Sequence, residues 1–86
     1  MKYYNSDGVP ISKRKFYDIG EGIIDFEERG WKEYRKNHDT HRIDGPAIID
    51  ERHGQLYYFI NGEEVTKEEQ ELLHLLYKYI ERLPFH

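Results

Sequence analysis

The chain of 86 residues contains no cysteine, so no disulfide can staple it. Small extracellular domains usually depend on such staples, and a reducing cytosol is therefore the expected compartment. No apolar run approaches the roughly 18 residues that cross a bilayer. Met1-Lys2-Tyr3-Tyr4-Asn5 carries no apolar signal core. The expectation is a cytoplasmic protein with no membrane partner. Serine is almost absent: Ser6 and Ser12 are the only two, both in the polar N-terminal segment. With no cysteine either, no nucleophile motif is present. Gly20-Glu21-Gly22 lacks the rest of any phosphate-binding loop. A chain of this length buries roughly 60–65% of its unfolded surface in one core, which leaves no room for a second lobe or a deep cleft.

Charge and aromatic rings are what the sequence has in quantity. Charged residues make up 35% and aromatics 15%, with eight tyrosines and a net charge of −4. Rings interleaved with aliphatics argue for a folded domain over a disordered one. Tyrosine suits half-buried sheet faces and interfaces, because its ring packs while its hydroxyl stays wet. The acidic balance opposes nucleic-acid binding over the whole surface. Lys13-Arg14-Lys15 is a local exception, read here as a solvated loop or strand edge.

The C-terminal element is the clearest. Thr66-Lys67-Glu68-Glu69 fits a capping box, and Glu68, Glu69 and Glu71 suit the positive end of a helix dipole. The helix is expected to run to about Arg82 or Leu83 and to stop before Pro84. Upstream, Asn61-Gly62 is a strong hairpin signal. It joins Leu56–Ile60, read as a central strand because both its faces are apolar, to the short strand Glu63-Glu64-Val65. Ala47–Glu51 is a further strand, with a turn at His53-Gly54 after it and Asp44-Gly45-Pro46 before it.

A 24-residue shift reveals a second copy of this unit. Ile19, Ile24, Glu27, Gly30, Tyr34 and Asn37 fall on Ile43, Ile48, Glu51, Gly54, Tyr58 and Asn61, six identities across the 22 positions from Tyr17 to His38. The first copy is then the hairpin of Ile23–Glu27 with Trp31–Lys36, and the stretch before it adds one more strand.

His41-Arg42-Ile43-Asp44-Gly45-Pro46-Ala47-Ile48, followed by a glycine turn, an aromatic strand and Asn-Gly, resembles the MORN-like hairpin repeat of bacteriophage and giant-virus proteins. Residues 34–67 carry the resemblance. The first copy departs from it, with Tyr17-Asp18 and Gly20-Glu21-Gly22 in place of His-Arg and Asp-Gly-Pro. Two copies are too few for a solenoid, so a compact domain is expected. The resemblance implies a small viral or bacterial accessory protein that works by binding, and it supplies no reaction.

Several constellations invite chemistry. His38-x-x-His41 with Asp44 has the residue types for a metal site, and His53 lies near the same hairpin ends in this reading. The same residues serve equally as turn formers, Asp44 bonding its own backbone. His53 beside Asp50 and Glu51, or His41 beside Asp39 and Asp44, supplies the types for acid–base work, which also needs a cleft. Trp31, Tyr34, Tyr57 and Tyr58 with Lys13-Arg14-Lys15 and Arg35-Lys36 would make an aromatic, basic face able to stack bases.

The last helix is the better lead. At 100° per residue, Leu72, Leu73, Leu75, Leu76, Tyr77, Tyr79, Ile80 and Leu83 cover an arc of about 200°, wider than the ~100° one sheet requires. Leu73, Leu76, Ile80 and Leu83 are expected to face the sheet. Leu75 and Tyr79 are left over, to be covered by the N-terminal strand or Phe85, or to form a homodimer or partner surface.

These readings combine into an α+β domain spanning residues 1–86: an antiparallel β-meander of about five to six strands from two degenerate hairpin repeats, with one C-terminal α-helix. Its parts are an N-terminal strand region (1–16), a degenerate repeat (17–38), a repeat (41–65) and the helix (66–83). The expected function, drawing on the resemblance, is that of a phage-encoded, non-enzymatic interaction protein that binds and modulates or inhibits a host protein, as in counter-defence. Partner contact is assigned to Leu75, Tyr79, Leu72, Tyr57 and Trp31, and the motif turns to His41, Arg42, Asp44, Gly45, Pro46, Asn61 and Gly62. No catalytic residue, metal or cofactor is assigned. The alternatives are a nucleotide or single-stranded nucleic-acid binding module and a metal-dependent hydrolase.

Overall fold

Two tight turns frame the fold. Asn37-His38 has φ of 52° and 65°, and Asn61-Gly62 has 50° and 84°. Positive φ at both central positions is the hairpin turn whose twist matches that of its strands. Asparagine tolerates this region better than most residues. The computed structural model describes residues 1–81. Its strands are β1 (Lys2–Tyr4), β2 (Pro10–Ile11), β3 (Gly22–Phe26), β4 (Trp31–Lys36), β5 (Asp39–Thr40), β6 (Ile48–Asp50), β7 (Gln55–Ile60) and β8 (Glu63–Val65). Its helices are α1 (Lys13–Ile19) and α2 (Lys67–Glu81). The fold is α+β, as expected, with eight strands instead of five or six.

All pairings are antiparallel, in the order β2-β1-β3-β4-β6-β7-β8, with β5 also on β4. The 24-residue offset carries β4, residues 31–36, onto β7, residues 55–60. It also carries Gly30 onto Gly54, both left-handed, and the first tight turn onto the second. The two units touch through their corresponding turns. Arg52 Nη2 donates to Glu28 O (2.7 Å), and the Glu51 N–H donates to Gly30 O (2.9 Å). A Cβ on Gly30 would lie 3.0 Å from Arg52 Cβ.

The N-terminal region departs from the expected single strand. It forms β1 and β2, and Lys13-Arg14-Lys15 opens α1 instead of lying in a loop or at a strand edge. Ser12 caps α1 by accepting the Lys15 N–H (3.1 Å), and Gly20 ends it in the left-handed region. Both signals stand in the sequence, but seven residues are too few for a readable apolar period. α1 contributes Phe16, which packs with Tyr3 and Ile24 into the main core, joined by Ile11 and Phe26. Cross-strand register puts Ile11, Tyr3, Ile24, Glu33, Ile48 and Tyr57 in one row on this face.

The expected central strand, Leu56–Ile60, is central only by halves. Gln55–Tyr57 pair with β6, and Tyr58–Ile60 pair with β8. Leu56 and Tyr57 are accordingly exposed. The molecule is elongated, 44 × 29 × 19 Å, with a radius of gyration of 14.1 Å against about 12 Å for a compact domain of this length.

Phe16 is the largest fully buried side chain. Phe16→Ala is expected to cost about 3–5 kcal/mol, read as a lowered urea midpoint. A loss below about 1 kcal/mol would show that α1 is not part of the core.

Candidate interaction surface

Between β4 and β7 the sheet has room for one full strand, and two short pieces fill it. β5 pairs with Arg35 and Lys36, whereas β6 pairs with Trp31, Lys32 and Glu33. Between them Tyr34 receives both ends of the gap: its carbonyl accepts the His41 N–H (3.0 Å) and its N–H donates to Ala47 O (2.7 Å). On the other side, the Arg42 N–H donates to Phe59 O (3.1 Å) and the Ala47 N–H to Tyr57 O (2.8 Å). Ile43, Asp44, Gly45 and Pro46 are thereby squeezed out as a loop.

The motif residues hold this arrangement. His41 Nδ1 accepts the Asn61 N–H (2.8 Å), and Thr40 O accepts the Gly62 N–H (2.9 Å), so the second hairpin turn is tied to β5. Arg42 lies over the Tyr34 ring, 4.0 Å from its centroid. Its Nε donates to Asp44 Oδ1 (3.1 Å) and its Nη1 to Pro46 O (3.3 Å). A Cβ on Gly45 would meet that guanidinium at 3.0 Å. Ala47 has no exposed surface, which explains a small residue there. His41, Arg42, Asp44, Gly45, Pro46, Asn61 and Gly62 thus act as one clamp.

Gln70 closes the loop from α2. It is 4% exposed. Its Nε2 donates to Arg42 O (2.6 Å) and also bonds Gly45 O. The capping box forms as expected: Thr66 Oγ1 accepts the Glu69 N–H (3.0 Å) and Glu69 Oε1 accepts the Thr66 N–H (3.0 Å). Sequence reasoning gave Gln70 no role. A glutamine between two glutamates reads as surface, and nothing in the spacing distinguishes it.

The expected seating of α2 is corrected. Gln70 is buried and Leu73 and His74 are half-buried, while Leu76 and Ile80, expected on the sheet, are exposed. Leu83 and Phe85 lie outside the described residues. Leu72 is 60% exposed and Leu75 and Tyr79 are 64% exposed each. At 100° per residue, Leu72, Leu75, Leu76, Tyr79 and Ile80 share an arc of about 140°, turned away from the edge that carries Gln70 and His74. The helix is rooted by its first two turns, and its apolar face is left in solvent.

The remaining candidates separate. Tyr57 follows Ile48 in register, on the face that α1 covers, and Tyr58 points to the other. Trp31 and Arg35 share the first face, whereas Tyr34 and Lys36 share the second. The aromatic, basic set therefore divides between two sides of the sheet. Trp31 packs edge-on against Phe26 (5.5 Å) with Arg29 near its ring (5.7 Å), and its Nε1 is buried without a partner among the described residues. It does not join Leu75 and Tyr79 in one patch by any contact among the described residues.

The proposed histidine group also separates. The His38 ring lies over Gly20, where an added Cβ would be 2.8 Å from Nε2. His41 is held by Asn61, and Asp44 by Arg42. His53 sits at the opposite end of β7, its Nδ1 2.9 Å from Asp50 Oδ2. No group of three His, Asp or Glu converges among the described residues. Ser6 Oγ donates to Glu21 (2.9 Å) and Ser12 caps α1, so neither approaches the His53–Asp50 pair. Comparison with protein-family models, with curated proteins and with solved structures finds no match to this chain.

Three described groups are shifted from their ordinary pKa: the hydrogen bond and then the charge of Glu27 raise Lys2 at the N-terminal edge, and the other two lie in the second unit. Burial, then the nearby Lys36 charge, push the His41 pKa down, against an opposing pull from Asp39. A neutral ring is what the Asn61 N–H requires at Nδ1. Burial raises the Asp50 carboxyl, but the hydrogen bonds and charge of His53, with the Arg52 N–H, together outweigh it and hold the carboxyl below its ordinary value.

Because His41 binds its proton more weakly in the folded state, its contribution is complete above the unfolded pKa of about 6.5 and declines as pH falls below it. Asp50 adds a further loss at more acidic pH, as pH falls from its ordinary carboxylate value through its depressed one. The urea midpoint is expected to drop between about pH 7.5 and about pH 5.5, less so in His41→Gln. Equal slopes in the two proteins would exclude His41 as the cause. Gln70→Leu leaves Arg42 O and Gly45 O without their donor and is expected to cost about 1–3 kcal/mol by the same measurement. An unchanged midpoint would show that α2 is not rooted there.

Proposed function

We propose that this chain is a non-enzymatic protein-binding module whose contact element is the outer arc of α2. The observation that carries the reading is the exposure of Leu72, Leu75, Leu76, Tyr79 and Ile80 on one side of a helix whose opposite edge meets the sheet. Full burial of one leucine is worth about 1.5–3 kcal/mol, so five such residues in water represent binding free energy that a partner can recover. An apolar arc flanked on one side by Glu71 and Lys78 is the form in which an amphipathic helix enters a groove or meets another helix. The likeness of residues 34–67 to viral hairpin repeats supports a narrower version, a viral accessory protein that modulates or blocks a host protein.

The double variant Leu75→Glu, Tyr79→Ser changes side chains that the fold leaves in solvent. The sheet signal in its circular dichroism is expected to match the wild type, while the mass in solution or the capture of partners from bacterial lysate falls. If both the captured proteins and the mass in solution stay unchanged, α2 is not a contact element.

A further inference from the structure

The arc of α2 carries a charge pattern that selects its occupant. Along one flank of the arc stand Glu68, Glu71, Leu75 and Lys78. The spacing is three or four throughout, so on a helix these positions form one strip. Two negative charges precede Leu75 and the positive Lys78 follows it. Turned end for end about Leu75, the strip sets Glu71 against Lys78. It is complementary to itself in the antiparallel sense and self-repelling in the parallel one. An isologous contact requires this property, because each patch must meet its own copy across a two-fold axis. Opposed helix dipoles favour the same orientation.

We infer that the occupant of the α2 arc is a second copy of this chain, paired antiparallel across a two-fold axis at Leu75. The inference rests on the reading of α2 as a contact element and names its partner. Leu72, Leu75 and Tyr79 follow the three-four spacing of a helix-pair seam, with Glu71 and Lys78 along its flank and Leu76 and Ile80 on the other side. A helix of 15 residues that is rooted only at its start gains little stability alone in water. A mate of the same kind covers the apolar side that the sheet leaves bare. The chain exposes 6356 Å², against about 5,400 Å² for a compact monomer of 10.5 kDa. The elongated shape contributes to this excess, and the exposed arc of α2 is part of it.

The absence of cysteine makes the test clean, since each introduced thiol is the only one in its chain. Sedimentation equilibrium of the wild type is expected to give twice the 10.5 kDa chain mass. With a short thiol cross-linker, Leu75→Cys is expected to couple to itself. Glu71→Cys and Lys78→Cys are expected to couple only when mixed. Lys78→Glu is expected to weaken the dimer about tenfold by placing like charges at two symmetry-related contacts, and an equimolar mixture with Glu71→Lys to restore it. Self-coupling of Glu71→Cys would overturn the antiparallel pair. A monomeric mass up to millimolar concentration would overturn self-pairing altogether. In that case, loss of lysate capture by Leu75→Glu, Tyr79→Ser leaves the contact reading standing, and unchanged capture overturns it as well.

Discussion

The C-terminal half of the molecule depends on how the chain fills the row between β4 and β7. One continuous strand there would pair all of β4 and leave no reason for a loop, a clamp or a buried glutamine. Two short pieces fill it instead, and Tyr34 is the residue that spans the join, bonded to His41 on one side and Ala47 on the other. Every other feature of this region follows. The expelled residues need a partner for their carbonyls, and Gln70 provides it. Arg42 stands over Tyr34, and the glycine at position 45 leaves its guanidinium room. α2 starts where Gln70 can reach, so the helix direction is set by the loop and not by the apolar face of the helix.

This order of priorities explains the unusual seating of α2. In most small domains an amphipathic helix is oriented by burial of its apolar stripe. Here the hydrogen bonds of one polar residue fix the root, and the stripe faces elsewhere. The buried set is correspondingly small. Phe16 and Ile24 anchor one face of the sheet beneath α1, while Ala47 and Ile60 are the buried apolar residues of the second unit. Alternation along β6 and β7 turns these two toward the opposite face. The two buried sets therefore lie on different sides of the sheet. Neither is large, and a folded domain typically keeps only about 5–15 kcal/mol of net stability once chain entropy has offset burial.

Much of this was legible in the residues. Asn61-Gly62, the capping box at Thr66 and Glu69, and the offset linking Gly30 to Gly54 are local signals, and local chemistry decides them. The exposure of Leu75 and Tyr79 was legible as an excess of arc. What stayed hidden has a common cause. The α1 helix is too short for periodicity to outweigh three adjacent basic residues. The aromatic set looked continuous because sequence neighbours such as Tyr57 and Tyr58 cannot be assigned to faces until the register is known. The histidines looked clustered because linear distance says nothing about which end of a hairpin a residue reaches, so His53 and His41 were grouped although β7 separates them. Gln70 was invisible because its value lies in two carbonyls 25 and 28 residues away.

The margins of the sheet carry a consequence for how such a molecule meets its own kind. One margin is β2, two residues long and beginning with Pro10, which has no N–H to offer a neighbouring strand. The other is β8, three residues long with Glu63 and Glu64 in succession. Both are poor templates for strand addition, since short, charged or proline-bearing borders resist continuous cross-chain ladders. With eight strands and many rings, a chain of this composition would otherwise risk fibrous growth from its borders. Both borders are thereby closed to the open-ended strand addition that a sheet of this kind otherwise invites.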